Sequence, residues 1–208
     1  MKFNFPNLIP IFPLSGVVYF PRTNLPLNVF EKRYLDLVND CYKKDKLMGM
    51  IQNKRDNDVY SVGCLGKISS LKKNNDGRIF INLTGLTRFE VKKEMKNNKL
   101  YREFEVEYKK FSGDLVDENT SMNLGEFDFL LEKTKFFFNK NNLLLNWKEF
   151  ENLEKDQQIN TISMIAPISN GEKQKLLETI TLSEKIETLS NIIEFYLHDK
   201  TLDKSRLQ

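Results

Sequence analysis

The sequence predicts an α+β fold in which a β-rich first half is followed by a helical second half. From residue 9 to about residue 111, short runs of β-favouring residues are separated by turn signals. After Ser112-Gly113-Asp114 the strand pattern stops and helical periodicity begins. The charge changes sign at the same place, with 21 Lys and Arg against 12 Asp and Glu before residue 113, and 11 against 17 after it. We therefore predict two subdomains, a basic one over 1–112 and an acidic helical bundle over 113–208.

The first subdomain is predicted to hold several short strands and one helix. The helix is indicated by Phe30, Tyr34, Leu37, Val38 and Cys41, which recur on one face at helical spacing. In the last strand Phe104, Val106 and Tyr108 alternate with acidic residues, which is typical of a half-buried strand. The predicted strands span residues 9–12, 17–20, 25–27, 47–52, 62–71, 78–83, 87–92 and 101–111.

Four helical segments are predicted in the second subdomain. They span about 121–140, 146–154, 157–166 and 171–198, the last with a break near Thr181. Ser169 with Glu172, and Thr181 with Glu184, have the spacing of a capping box, in which each side chain binds a free backbone amide of the other residue.

The inventory of reactive residues argues against an enzyme. Cys41 and Cys64 form no CxxC motif, and His198, the single histidine, lies far along the chain, so we expect no metal site, no cofactor and no catalytic residues. The two thiols are interpreted as small buried hydrophobes of a reducing cytosol. The sequence around Gly66-Lys67 fails as a phosphate loop, because Ser61 replaces the first glycine and Ile68 replaces the required Ser or Thr.

The uncharged stretch 3–21 is the one candidate for export or membrane insertion. Pro6, Pro10 and Pro13 interrupt it, and it leads directly into strand-like sequence. We therefore predict neither a signal peptide nor a membrane span, and expect a cytoplasmic protein.

Polar residues recur within the β-rich half in three clusters, at 30–34, 76–78 and 85–89. Arginine donates in a planar fork that suits a carboxylate, so Glu31 or Asp76 is expected to hold Arg33 or Arg88 in an internal ion pair. Contact with a ligand is the alternative for the same residues. The candidate binding residues are Glu31, Arg33, Tyr34, Asp76, Arg78 and Arg88, which with Gly77 and Gly85 are also candidates for fold-defining positions.

These clusters carry a resemblance to a known family. Residues 9–14, 18–21 and 25–34 resemble the opening of the amino-terminal substrate-binding domain of Lon-type ATP-dependent proteases. The resemblance is closest to short free-standing bacterial proteins built from that domain alone, and cereblon carries a related domain. It continues through Val62-Gly63, Asp76-Gly77-Arg78, Gly85 and Arg88-Phe89, and reaches the helical half at 172–178.

The resemblance implies a PUA-like bent sheet, or pseudo-barrel, followed by a small helical bundle. It also implies a non-catalytic module that binds unfolded or tagged polypeptides, as an adaptor, a chaperone-like holder or a modulator of proteolysis, with a protease as a partner. The sequence has no Walker A motif, and we expect neither the ATPase nor the protease domain of full-length members. We expect a monomer or a weak dimer. Phe3, Phe5 and Phe20 are candidates for an exposed polypeptide-binding patch, with core packing as the alternative.

An RNA-binding module is the alternative function, because PUA-like folds include RNA binders and the first half is basic. Exposed aromatic rings beside phosphate-binding cations would serve that function. The candidate phosphate contacts are Lys67, Lys72, Lys73, Arg78, Arg88, Lys92 and Lys93, with Tyr60 or Phe80 for base stacking. A small-molecule hydrolase or transferase is a third hypothesis, and it is disfavoured because no nucleophile and base pair is evident.

Overall fold

The computed structural model describes residues 5–54, 58–116 and 124–198. The chain divides into two compact units, Met1–Asp117 and Glu118–Gln208. The sequence-predicted boundary after residue 112 falls within a 3-10 helix, Lys109–Leu115, which belongs to the first unit.

The first unit is built on a six-stranded sheet with one α-helix. Its elements are β1 (Leu8–Leu14), β2 (Asn24–Val29), α1 (Lys32–Tyr42), β3 (Leu47–Gln52), β4 (Val62–Lys73), β5 (Ile79–Met95) and β6 (Arg102–Glu107), followed by the 3-10 helix.

The sheet closes on itself. Its strand order is β2-β5-β4-β3-β1-β6, and β5 also pairs with β6, so five strands form a continuous ring of hydrogen-bonded neighbours. The closure depends on the length of β5, which has 17 residues: its first part pairs with β2 and its last part with β6. Among the strands that the structure describes, β1 and β3 are the one parallel pair. The α+β class with a bent, barrel-like sheet is therefore confirmed.

Phe89 fills the centre of the first unit's core. It is fully buried and packs in a cluster of aliphatic and aromatic side chains from β1, β3, β4 and β6. Two glycines make room for its ring, because a Cβ at Gly63 would lie 2.5 Å from Phe89 Cζ and a Cβ at Gly49 would also meet the ring. In β6, Phe104 and Val106 point into this core, which confirms the predicted alternation.

Three local predictions in this unit are wrong. Residues 17–20 form no strand. Val18, Tyr19 and Phe20 are buried, which accounts for the apolar run without strand pairing. The two strands predicted at 78–83 and 87–92 are one strand, with a bulge at Leu86, opposite Leu65 and Gly66 of β4, in place of the predicted break. The last predicted strand, 101–111, ends at Glu107 and is followed by the 3-10 helix.

Helix α1 begins later than predicted. Its N-cap, Glu31, has extended backbone angles, so Phe30 precedes the helix and is 65% exposed instead of lying on the buried face. The remaining predicted positions, Tyr34, Leu37, Val38 and Cys41, form the buried face, which confirms the rest of the stripe.

The second unit is helical, as predicted. Its helices are α2 (Leu124–Lys140), α3 (Trp147–Phe150), α4 (Lys155–Ile165), α5 (Asn170–Glu178) and α6 (Leu182–His198); the first residues of the predicted helix 121–140 lie outside the described residues. Both predicted capping boxes are present. The Ser169 Oγ accepts a hydrogen bond from the Glu172 amide, while Thr181 and Glu184 exchange equivalent bonds of 3.2 Å.

The contact between Phe89 and Gly63 gives a stability prediction. Gly63→Ala should lower the free energy of unfolding by about 1–3 kcal/mol, because an added methyl group overpacks this core. Gly171→Ala is the control, since a Cβ there would meet only Ser169 Oγ at 4.0 Å. It should raise stability by about 0.4–1 kcal/mol. Urea unfolding followed by circular dichroism measures both changes, and a Gly63→Ala variant as stable as the parent would contradict this packing.

Candidate functional site

Arg33 and Tyr34 lie in the first turn of α1, where the helix packs on β1. The Tyr34 ring stacks on Phe12 with centroids 4.0 Å apart and an interplanar angle of 17°. Tyr34 is only 7% exposed, whereas Arg33 lies off the buried face of the helix. The stacking therefore fixes Tyr34 and places Arg33 beside it at the surface.

The Arg33 guanidinium is oriented by two neighbours. Its Cζ lies 4.5 Å from the centre of the Tyr34 ring, and its Nη2 lies 2.8 Å from Glu31 Oε2. The expected pairing of Arg33 with Glu31 is present, but it lies at the surface and not in the interior, since both side chains are about half exposed. An exposed ion pair of this kind contributes about 0–1 kcal/mol to stability. It therefore orients Arg33 but can be broken at little cost.

Strand topology creates a cleft beside Arg33. Because β1 and β3 run parallel, their carboxyl ends emerge together, with Pro13 opposite Ile51. Strand β6 runs antiparallel to β1 and begins at the same edge, with Arg102 opposite Ile11. The cleft has a volume of about 310 Å³, and we name it the two-arginine cleft; it is lined by Pro13, Arg33, Tyr34, Asn53, Leu100, Tyr101 and Arg102.

The second arginine of the cleft is also held in place. Arg102 donates from Nε to Glu94 Oε1 at 2.7 Å and from Nη2 to Glu94 Oε2 at 2.6 Å, across the β5–β6 pair. Its guanidinium lies 4.8 Å from the Phe104 ring centre. The Glu94 carboxylate raises the pKa of Arg102 further above its ordinary value. A fixed cation therefore faces the cleft from each of two elements, α1 and β6.

The two phenols of the cleft stay protonated at neutral pH. Burial raises the pKa of Tyr34, and the nearby cations Arg33 and Arg102 oppose that shift. Burial, with a hydrogen bond donated to Asp40 Oδ2 at 2.8 Å, raises the pKa of Tyr101 to about 12. The cleft thus presents guanidinium cations, neutral hydroxyls and the Asn53 amide, which suits binding of an anionic or polar group.

Asp76 and Arg78 lie elsewhere in the first unit, in the β4–β5 turn. Asp76 Oδ1 accepts a hydrogen bond from the Arg78 amide at 3.1 Å, and Gly77 between them has φ +84°. The side chains form an exposed ion pair at 3.4 Å. Local turn geometry accounts for these contacts, and neither residue lines the two-arginine cleft.

Arg88 is buried, and its partner differs from the one expected. The prediction of Glu31 or Asp76 is wrong, because Arg88 Nη2 lies 2.7 Å from Asp114 Oδ1, with side chains 4% and 9% exposed. Asp114 Oδ2 also accepts from the Arg88 amide at 2.8 Å. The guanidinium lies 4.4 Å from the Phe111 ring centre, so this pair attaches the 3-10 helix to β5.

Core packing, the alternative to an exposed apolar patch, holds for two of the three phenylalanines near the chain's start. Phe20 is fully buried, and Phe5 is half-buried and packs on Tyr108 with ring centroids 5.5 Å apart. Phe3 lies outside the described residues. Exposed apolar side chains lie instead at Phe30, before α1, and at Leu100, which is 59% exposed and lines the two-arginine cleft.

Most of the cleft was missed from the sequence. Asn53 follows β3, whereas Leu100, Tyr101 and Arg102 lie where β6 begins, and the two segments meet through the closure of the sheet. The one available signal was the predicted hairpin near Lys96-Asn97-Asn98, which carries charged residues on both flanks. That signal indicates a turn, and it does not indicate that the turn faces α1.

Both cysteines are free and buried, as predicted. Burial, reinforced by Asp45 and Asp40, raises the pKa of Cys41 to about 12, which opposes formation of a nucleophilic thiolate. Within 5–54, 58–116 and 124–198, no group of three or more His, Cys, Asp or Glu side chains is placed to hold a metal ion. In the same part of the chain no helix is both long and apolar enough to cross a membrane.

Comparison with known proteins places these features in a family. A family model described as the ATP-dependent protease La (LON) substrate-binding domain matches residues 8–194. A Lon protease from Buchnera aphidicola subsp. Acyrthosiphon pisum is 29% identical over 199 residues, covering 89% of this chain and 25% of the relative. A Lon protease from Syntrophus aciditrophicus is 24% identical over 212 residues, covering 94% and 26%. The chain spans about a quarter of the length of these curated relatives.

Solved structures share the fold. The crystal structure of a Lon N-terminal domain protein from Xanthomonas campestris matches with a TM-score of 0.65 at 24% identity, covering 88% of this chain and 96% of that one. The N-terminal domain of a Mycobacterium avium complex Lon protease matches with a TM-score of 0.66 at 14% identity, covering 90% and 98%.

The contrast between the two ion pairs gives a second prediction. Arg88→Met should lower the free energy of unfolding by about 3–5 kcal/mol, because it leaves the buried Asp114 carboxylate uncompensated. Arg33→Met is the matched control, and should cost less than about 1 kcal/mol because its partner Glu31 is exposed. Urea unfolding measures both variants. Equal losses would show that the Arg88 pair is no more important to the fold than the surface pair.

Proposed function

The chain belongs to the ATP-dependent protease La (LON) substrate-binding domain family, and from that membership we propose that it binds polypeptides at the two-arginine cleft without chemistry of its own. The family match over residues 8–194 carries this proposal. The composition of the cleft supports it, because two fixed cations, two phenols and an exposed leucine suit a segment with polar and apolar parts.

The free edge of the sheet gives a reason to expect that a polypeptide is bound through its side chains and not as an added strand. Among the described strands, β2 is the one with a single strand neighbour, β5, so it is the one free edge for an added strand. Pro26 lies in the middle of β2, opposite Asn82. Proline has no N–H with which to extend a hydrogen-bond ladder, so strand addition is disfavoured at this edge. A bound polypeptide is therefore expected to use side-chain pockets.

The proposed role is that of an adaptor, a chaperone-like holder or a modulator of proteolysis. The relatives named Lon protease support an association with a protease. The proposed clients are unfolded or tagged polypeptides. The proposed compartment is the cytoplasm, which suits the free thiols Cys41 and Cys64.

A binding measurement tests the site. Fluorescence anisotropy with a labelled, permanently unfolded polypeptide should show binding to the parent chain. Leu100→Ser should weaken it about tenfold, since losing most of a buried leucine contact costs about 1.5 kcal/mol. Leu144→Ser, at a residue 98% exposed in the second unit, is the control and should leave affinity unchanged.

The two variants separate the possible failures. No binding by the parent chain would contradict the proposed function itself. Binding that Leu100→Ser leaves intact would keep the function and remove the two-arginine cleft as its site.

RNA binding remains a second candidate because of one surface feature. Lys72 lies directly opposite Phe80 in the β4–β5 pair, and both side chains are exposed, which places a cation beside an aromatic ring. Other candidate phosphate contacts are already engaged: Arg88 with Asp114, and Lys92 with Glu107 at 2.9 Å. Lys67, Lys73 and Lys93 are also exposed.

Salt dependence distinguishes the two functions. If RNA is the ligand, the logarithm of its affinity should fall steeply with the logarithm of salt concentration, and Lys72→Ala should make that slope shallower by about one. Filter binding of a single-stranded RNA between low and physiological salt measures the slope. On the polypeptide proposal, RNA binding is weak and Lys72→Ala leaves polypeptide affinity unchanged.

A further inference from the structure

We propose that the two-arginine cleft recognises a carboxylate of the bound polypeptide, supplied either by the chain terminus or by an Asp or Glu side chain. This inference rests on the proposed function and names the chemical group that the cleft reads. Its first support is the pair of guanidinium groups, from Arg33 and Arg102, on the lining of one small cleft. Planar forks of this kind match the two oxygens of a carboxylate.

The cations are oriented before any ligand arrives. Stacking on Tyr34 orients Arg33, while two hydrogen bonds to Glu94 hold Arg102. A preorganised donor loses little entropy when it binds, so more of the interaction appears as affinity.

The Tyr34 hydroxyl itself supplies a second argument. Tyr34 is 7% exposed and lines the cleft, so a ligand in the cleft would contact its phenol. Burial raises the pKa of Tyr34, so the hydroxyl is a neutral donor at physiological pH. A carboxylate oxygen accepts a hydrogen bond from such a donor.

A carboxylate already occupies part of this arrangement. A single oxygen of Glu31 accepts from Arg33 Nε at 3.0 Å and approaches Nη2 at 2.8 Å. Because the pair is about half exposed, its carboxylate can be displaced at low cost. Glu31 therefore acts as an internal competitor for Arg33, and its removal should strengthen binding of an external carboxylate.

The apolar part of the lining limits what accompanies the carboxylate. Pro13 and Leu100 are the aliphatic residues of the cleft, and Leu100 is largely exposed. They provide a surface for a small apolar side chain next to the anionic group. A polypeptide ending in an apolar residue fits that description, and an acidic side chain beside an apolar residue supplies the same chemistry.

Three labelled peptides of one apolar-rich sequence test the inference. The first ends in a free carboxylate, the second in an amide, and the third in an amide with one internal Glu. Anisotropy should show the first or the third binding at least about tenfold more tightly than the second, since a charge-assisted pair is lost in the amide. Preference for the first identifies the chain terminus as the source, and equal affinity of the first and third identifies carboxylates in general.

Substitutions assign the preference to the cleft. Arg33→Gln should abolish the difference between carboxylate and amide, whereas Glu31→Gln should increase carboxylate affinity about two- to fivefold by removing the competitor. A gain in affinity cannot arise from misfolding, so Glu31→Gln protects the test against an unstable variant. Arg78→Gln and Asp76→Asn are matched controls, because they break an exposed pair with the same spacing outside the cleft.

The outcomes separate this inference from the function on which it rests. Equal binding of all three peptides overturns carboxylate recognition while polypeptide binding stands. Failure of all three peptides, together with failure of the unfolded polypeptide, overturns the proposed function. A carboxylate preference that survives Arg33→Gln overturns the assignment to this cleft.

Discussion

The closure of the sheet by β5 is the constraint on which the first unit depends. One strand of 17 residues must pair with β2 and β4 along its first part and with β6 along its last part, so it has to bend. The bulge opposite Leu65 and Gly66 supplies that bend. Arg88 and Phe89 are consecutive residues of β5, and their side chains lie on opposite faces of the strand. Phe89 fills the core of the barrel, while Arg88 binds Asp114 and so attaches the 3-10 helix.

The same closure produces the cleft. The carboxyl ends of the parallel strands β1 and β3 meet the start of β6, and α1 packs on β1 through the stacking of Tyr34 on Phe12. Every side chain on the lining is therefore positioned by barrel strands, their loops or the helix docked on them. The cleft is lined by cations, protonated phenols and an amide. Outside the cleft, burial keeps the thiol of Cys41 protonated. This chemistry suits recognition and offers no activated nucleophile.

Local pattern predicted much of the fold and little of the cleft. Period-two alternation identified the faces of β6, helical periodicity identified the buried stripe of α1, and capping boxes at Ser169 and Thr181 marked two helix starts. These features depend on residues a few positions apart. The pairing of Arg88 with Asp114 spans 26 residues, and that of Tyr101 with Asp40 spans 61, so no periodicity encodes them. The apolar composition of residues 17–20 also led to a wrong strand prediction, because buried residues outside a strand have the same composition as a buried strand.

Two ion pairs show why a motif alone could not locate the site. Glu31 with Arg33, and Asp76 with Arg78, each place an acidic residue two positions before an arginine, and the two pairs have similar exposure. The second pair closes a hairpin turn around Gly77. The first pair lies where α1 docks beside three strand ends, so its arginine gains a second cation, an aromatic platform and a concave surface. Topology therefore converts one of two equivalent local pairs into a candidate recognition site, because only there do separate elements bring complementary groups together.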